Sequence, residues 1–201
     1  VAVIGITGRI ATGKSTFTEV LFSFFPEAHR FSADAEVSRL TAEDAEVRRE
    51  IRILFGDSVF LPDGEIDRRV VREGIFGNAE LRKRLEAILH PRVREAWVSL
   101  ARSFRKSGRW LLVEIPLLYE TQGERECDSV AVVGCSDATQ RFRLRTRRGY
   151  SDALSEQIRV AQMSGSEKCL RSDHFIWNDC SLSCLTRQAR LYSVWLRDRF
   201  C

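Results

Sequence analysis

Apolar residues recur along this chain in two alternating rhythms. Five short, nearly unbroken apolar runs, at residues 1–7, 28–32, 110–115, 129–135 and 174–177, have the length of strands buried on both faces of a parallel sheet. Between them apolar positions return every three or four residues, as on one face of a helix. Residues 15–25 place Phe17, Val20, Leu21, Phe24 and Phe25 on such a face and stop ahead of Pro26. Residues 80–90 align Leu81, Leu85, Ile88 and Leu89, and residues 92–104 repeat the pattern with Val93, Trp97, Leu100 and Phe104. A closing stretch carries Leu182, Leu185, Ala189, Tyr192 and Leu196. Alternating strands and helices predict an α/β fold with about five parallel strands flanked by helices.

One interval breaks the rhythm. The second and third strands are separated by far more chain than a single crossover helix needs. The intervening residues, 35–109, are mostly helical in pattern, with a turn at Leu61-Pro62-Asp63-Gly64. They read as a lobe inserted into the sheet topology. A second, polar and Arg-rich segment follows the fourth strand over residues 137–167. With neither repeats nor a flexible linker, a single domain is expected. Its core spans about residues 1–35, 108–136 and 171–201, with a helical lobe at about 36–107 and a second insertion at about 137–170.

Composition narrows the class. At 201 residues, 44% hydrophobic and 30% charged, the chain supports its own core and is neither disordered nor of low complexity. No apolar run approaches the length of a membrane span. No basic, leader-like segment precedes Val1, so a cytoplasmic protein without a secretory signal is expected. The net charge of +4 is too balanced to argue for nucleic acid by itself. Arginine greatly outnumbers lysine, which suits bidentate phosphate contacts but follows equally from codon bias. The six cysteines include no Cys-x-x-Cys pair and read as reduced thiols. Cys169, His174, Cys180 and Cys184 cluster in sequence, but at spacings that fit no zinc finger.

The strongest chemical signal is Gly8-Arg9-Ile10-Ala11-Thr12-Gly13-Lys14-Ser15, a complete G-x-x-x-x-G-K-[ST] loop between an apolar strand and an amphipathic helix. Backbone N–H groups of such a loop face phosphate oxygens, helped by the helix N-terminus. Gly8, Ala11, Thr12 and Gly13 form the cradle, Lys14 supplies charge at the β- and γ-phosphates, and the Ser15 hydroxyl is placed to ligate Mg²⁺. Thr16 reaches the α-phosphate. A nucleoside triphosphate with Mg²⁺ is therefore the expected ligand, in a P-loop kinase-like fold.

The guanine and switch motifs of a GTPase are missing. A small-molecule kinase needs only the loop, a base for the acceptor hydroxyl and arginines over the transferring phosphate. Asp34, just past the second strand, lies at the sheet edge from which the loop leaves the first strand. It reads either as that base or as the cap of the following helix. The arginines lie in Arg141-Phe142-Arg143-Leu144-Arg145-Thr146-Arg147-Arg148. Arg143 and Arg147 share one helical face, which reads either as a phosphate clamp or as a solvated basic surface.

These residues, taken in order, resemble the dephospho-CoA kinase family over nearly the whole chain. The segment from Gly5 to Ser15 resembles the family's G-[LI]-T-G-G-I-G-S-G-K-S, and Ser32-Ala33-Asp34 its D-A-D. Ile75-Phe76, His90-Pro91 and Pro116-Leu117-Leu118-Tyr119-Glu120 are similar to its I-F, H-P and P-L-L-[FV]-E. Thr139-Gln140 with Arg143 and Arg147 resembles the lid helix. Gln157-Ile158, Gln162, Lys168 and the stretch from Ser172 to Asn178 resemble the later motifs.

The resemblance implies phosphorylation of the ribose 3′-hydroxyl of dephospho-CoA by Mg·ATP, with small molecules as partners and neither nucleic acid nor membrane. It implies Asp34 as general base, the helical lobe as substrate holder and the Arg-rich insertion as a lid. Arg69, Arg72, His90 and Lys168 are candidates for substrate phosphates, beside plain structural roles. Glu114 and Glu120 either reach the metal through water or anchor the lobe. Arg9 and Ala11 stand where the family has glycine, Ser32 where it has its first Asp, and Gly165 where it often has a basic residue. The alternatives are another small-molecule or nucleoside kinase and a non-catalytic nucleotide-binding regulator. Oligomeric state is not encoded in any motif.

Overall fold

The computed structural model describes residues 1–201, the side chain of Arg148 apart. The strands β1 (Val3–Thr7), β2 (His29–Ser32), β3 (Leu111–Glu114), β4 (Ser129–Gly134) and β5 (His174–Trp177) form one sheet in the order β2-β3-β1-β4-β5. Every pairing is parallel. The expected strands are all present, with ends trimmed by up to two residues. The first connection runs from β1 to one side and β4 lies on the other, so the loop after β1 opens where the connections diverge, the usual ligand position in such sheets.

The helices are α1 (Lys14–Phe22), α2 (Ala33–Glu43), α3 (Ala45–Phe55), α4 (Arg68–Ile75), α5 (Ala79–Ser107), α6 (Asp137–Arg148), α7 (Asp152–Val160), α8 (Gly165–Arg171) and α9 (Leu182–Phe200). The chain divides into two compact units. One is Val1–Ser32 with Val98–Cys201, and the other is Ala33–Trp97.

The first unit holds the sheet. Its main core joins Ile4, Ile6, Leu112, Ala131, Val133 and Ile176 from the strands to Phe17 and Leu21 of α1 and Leu185, Ala189, Tyr192 and Leu196 of α9. Helix α1 stops earlier than its apolar face suggested. Phe24 N and Phe25 N donate to Leu21 O and Phe22 O, three residues back, and this tighter winding turns Phe25 onto Trp110 with ring centroids 4.8 Å apart. No described helix is long and apolar enough to cross a membrane.

In the second unit, Leu40, Val47, Ile51 and Val59 are buried. Asp44 and Asp67 cap α3 and α4 with their carboxylates. The expected turn at residues 61–64 is closed by Gly64 N donating to Leu61 O at 2.8 Å, and Gly64 takes φ +86°.

The pattern pointed to two helices on either side of Pro91, and the structure has one, α5, with Pro91 inside it. Proline removes an N–H and frees carbonyls in the turn before it. The acceptor left without a backbone donor is Ala87 O, and in the next position the Arg92 guanidinium folds back along the helix and donates to Ile88 O at 2.7 Å.

His174, one of the conceivable zinc ligands, is packed in an aromatic stack. Its ring lies 4.5 Å from Tyr192 and 5.7 Å from Trp195, and burial holds its pKa below the usual 6.5. The unfolded chain therefore binds a proton more readily at this position. Stability is unaffected above the unfolded value and falls as pH drops from 6.5 towards the depressed folded value. His174→Phe is expected to flatten this part of the pH dependence, measured by urea denaturation between about pH 5 and 7.

Candidate active site

Helix α1 begins unlike its neighbours. Helices α3, α4, α6, α7, α8 and α9 start from Asp or Ser side chains that accept backbone N–H groups. The α1 N-cap is Gly13 at φ +94°, with no side-chain cap. Its first-turn N–H groups have no intrahelical partner, and the helix dipole favours an anion there. Gly13 has a second constraint, because a Cβ on it would lie 2.1 Å from Asn178 Nδ2.

The loop carbonyls turn away from that helix end, and side chains bind them. Arg9 O accepts from Thr12 Oγ1 at 2.9 Å and Lys14 Nζ at 3.0 Å. Ile10 O accepts from Gln140 Nε2 at 2.7 Å. Thr12 O accepts from Asn178 Nδ2 at 2.9 Å and Arg143 Nη1 at 3.1 Å. Ala11 keeps the left-handed conformation a glycine would prefer, at φ 60°. Its methyl group thus leaves the loop path intact at a cost of about 1–2 kcal/mol.

Lys14 is buried, while Ser15 and Thr16 are exposed. The Ser15 hydroxyl donates to Glu114 Oε1 at 2.6 Å. Glu114 is buried at the end of β3, where the register sets Ser32 of β2 beside it. A hydroxyl and a carboxylate at a strand end are hard oxygen donors of the kind Mg²⁺ uses while keeping most of its water.

Arg143 reaches the loop, and its other nitrogen donates to Asn178 O at 2.8 Å. Arg147, one turn further along α6, is exposed. Lys168 is wholly buried, held by Pro116 O at 2.9 Å and Glu120 Oε2 at 2.8 Å. Burial lowers its pKa and Glu120 opposes that shift. It forms an internal ion pair with Glu120. Asp34, Arg69 and His90 belong to the second unit. Asp34 lies within the first turn of α2, not at a cap position, and is exposed. Arg69 is exposed and paired with Asp67 at 3.3 Å, and His90 is half-buried in α5.

Gln140, Arg159 and Asn178 escaped the motif reading as working residues, although two of them stand in quoted motifs. All three are buried polar groups. Arg159 joins Asp137 at 2.7 Å, Glu156 at 2.9 Å and Gln140 Oε1 at 2.9 Å. The guanidinium of Arg9 donates to Arg159 O at 2.7 Å, and its pKa is lowered by burial and by the Arg159 charge.

A five-stranded parallel sheet whose first strand delivers a G-x-x-x-x-G-K-S loop to an uncapped helix defines a P-loop nucleotide-binding protein. The comparisons narrow that class. The family profile described as dephospho-CoA kinase matches residues 2–183. A Symbiobacterium thermophilum protein named dephospho-CoA kinase is 39% identical over 195 residues, covering 96% of this chain and 80% of its own. A Thermus thermophilus crystal structure, 29% identical, superposes with a TM-score of 0.75 over 97% of this chain and 96% of that one. A Campylobacter jejuni dephospho-CoA kinase, 24% identical, shares the fold with a TM-score of 0.63, covering 96% of each chain. The chain belongs to the dephospho-CoA kinase family.

Two loop substitutions have opposite expected signs. Gly13→Ala forces a Cβ onto Asn178 and is expected to weaken ADP binding by at least about tenfold, read by calorimetry. Ala11→Gly relieves the left-handed alanine and is expected to raise stability by about 0.5–1 kcal/mol in urea denaturation, after the unfolded-chain entropy of glycine is subtracted.

Proposed function

We propose that this chain transfers the γ-phosphoryl group of ATP to the ribose 3′-hydroxyl of dephospho-CoA, giving CoA and ADP. The observation that carries this reading is the extent of the family match, residues 2–183, which includes the helical lobe as well as the loop. A phosphate loop alone would support only nucleotide binding.

The residues divide the work as follows. The loop amides and the α1 N-terminus bind the phosphates, and Lys14 leaves the Arg9 carbonyl to meet the γ-phosphate. Ser15 and Glu114 would hold Mg²⁺, directly or through water. The ion, when bound with ATP, neutralises charge on the β- and γ-phosphates. Asp34 takes the proton of the 3′-hydroxyl as that oxygen bonds to the γ-phosphorus. The bond from that phosphorus to the β,γ-bridging oxygen breaks in line, and ADP leaves. Arg143 and Arg147 cover the transferring group from α6 as a lid over residues 137–170 and keep water away. The core, residues 1–35, 108–136 and 171–201, carries the nucleotide site. The lobe at 36–107 contributes Arg69 and His90 as ligands for the acceptor's phosphates. Lys168 serves the site indirectly, by fixing Glu120 and the Pro116 carbonyl.

The test is ADP release with Mg·ATP, with and without dephospho-CoA. Release is expected to require the acceptor. Asp34→Asn is expected to lower the rate by at least about 100-fold while ADP binding persists. Release that ignores dephospho-CoA, or an Asp34→Asn enzyme at full rate, would contradict the reading.

A further inference from the structure

Arg9 belongs to two networks at once. Its carbonyl holds Lys14 Nζ and Thr12 Oγ1, inside the phosphate loop. Its guanidinium leaves the loop and donates to Arg159 O in the last turn of α7. From there a circuit returns. Arg159 Nε donates to Gln140 Oε1 on α6, and Gln140 Nε2 donates to Ile10 O, next to Arg9 in the chain. Ile10 N donates to Gln162 Oε1 at 2.9 Å, just beyond α7. Two consecutive loop residues are thus tied to α6 and to the C-terminal end of α7.

The contact is held against two costs. Arg9 Nε is buried with no partner, and the guanidinium sits close enough to Arg159 for the two charges to oppose each other. Asp137 and Glu156, the partners of Arg159, offset that repulsion. Space is also kept open for the side chain. A Cβ on Gly165 would lie 3.8 Å from Arg9 Cδ, so a larger residue at 165 would occupy the path Arg9 takes.

We propose that Arg9 is a positioning residue that couples nucleotide entry into the phosphate loop to the placement of α6 and α7. When phosphates draw Lys14 off the Arg9 carbonyl, residue 9 loses an anchor on the loop side while its guanidinium still holds α7. A change on either side is therefore felt on the other, and the coupling is reciprocal. The inference rests on the phosphate loop binding a nucleotide and not on the identity of the acceptor.

The experiment is amide hydrogen exchange of residues 152–163 with and without ADP, beside ADP affinity by calorimetry. Four proteins are compared: the unaltered chain, Arg9→Met, Arg9→Lys and Gly165→Leu. In the unaltered chain ADP is expected to slow exchange at residues 156–163. Arg9→Met, which keeps length but no donor, is expected to lose most of that slowing and to bind ADP about tenfold more weakly, as the loss of one charge-assisted hydrogen bond implies. Arg9→Lys restores part of both effects. Gly165→Leu, which displaces Arg9 without altering the loop sequence, reproduces the Arg9→Met result and serves if that variant fails to fold. Unchanged ADP-dependent protection in Arg9→Met or Gly165→Leu overturns the coupling, as does an unaltered chain in which ADP leaves residues 152–163 unaffected. An unaltered chain with Arg9-dependent protection but no dephospho-CoA-dependent turnover keeps the coupling and overturns the proposed reaction.

Discussion

The first unit is organised around the carbonyls of the phosphate loop. A loop can aim its N–H groups at an anion only if its C=O groups find partners on the other side, because buried backbone acceptors left unpaired are costly. Here those partners are side chains. Lys14 and Thr12 take Arg9 O, Gln140 takes Ile10 O, and Asn178 with Arg143 takes Thr12 O. Three of these side chains come from α6 and the end of β5. The sheet order supplies them, because β4 lies beside β1 and β5 beside β4, and their C-terminal connections rise at the edge where the loop emerges.

The same constraint explains how the loop tolerates two unusual residues. Ala11 takes the left-handed backbone in place of glycine and bears the strain, since any other conformation would carry the loop carbonyls away from Arg143 and Asn178. Arg9 has ordinary backbone angles, and its side chain leaves by an open route over Gly165. Strain at a functional loop persists where its surroundings over-determine it, and six hydrogen bonds to loop carbonyls from Lys14, Thr12, Gln140, Asn178 and Arg143 supply that here.

Much of this was legible in the sequence because it is local. The five strands are short apolar runs, and the loop is a contiguous motif whose spacing encodes its geometry. Helical periodicity placed Arg143 and Arg147 on one face but left a clamp and a solvated surface both open, and the contact of Arg143 with Thr12 O appears only in the fold. What was missed depends on partners far apart in the chain. Asn178 meets Thr12 across 166 residues, and Arg9 meets Arg159 across 150. No window-based pattern carries such pairs. Lys168 shows the limit from the other side, since the sequence does not reveal that Glu120 and the Pro116 carbonyl enclose it. The continuity of α5 through Pro91 was likewise hidden, because proline is read as a helix stop and its tolerance depends on the folded surroundings.

The central claim is that this site moves a phosphoryl group to a ribose hydroxyl, and label transfer tests it most directly. With γ-labelled Mg·ATP and dephospho-CoA, the account predicts that label leaves ATP and is recovered as a phosphomonoester on the ribose 3′-oxygen of CoA, in equal amount to the ADP formed. Label recovered only as inorganic phosphate, or left wholly in ATP while the nucleotide binds, would contradict it.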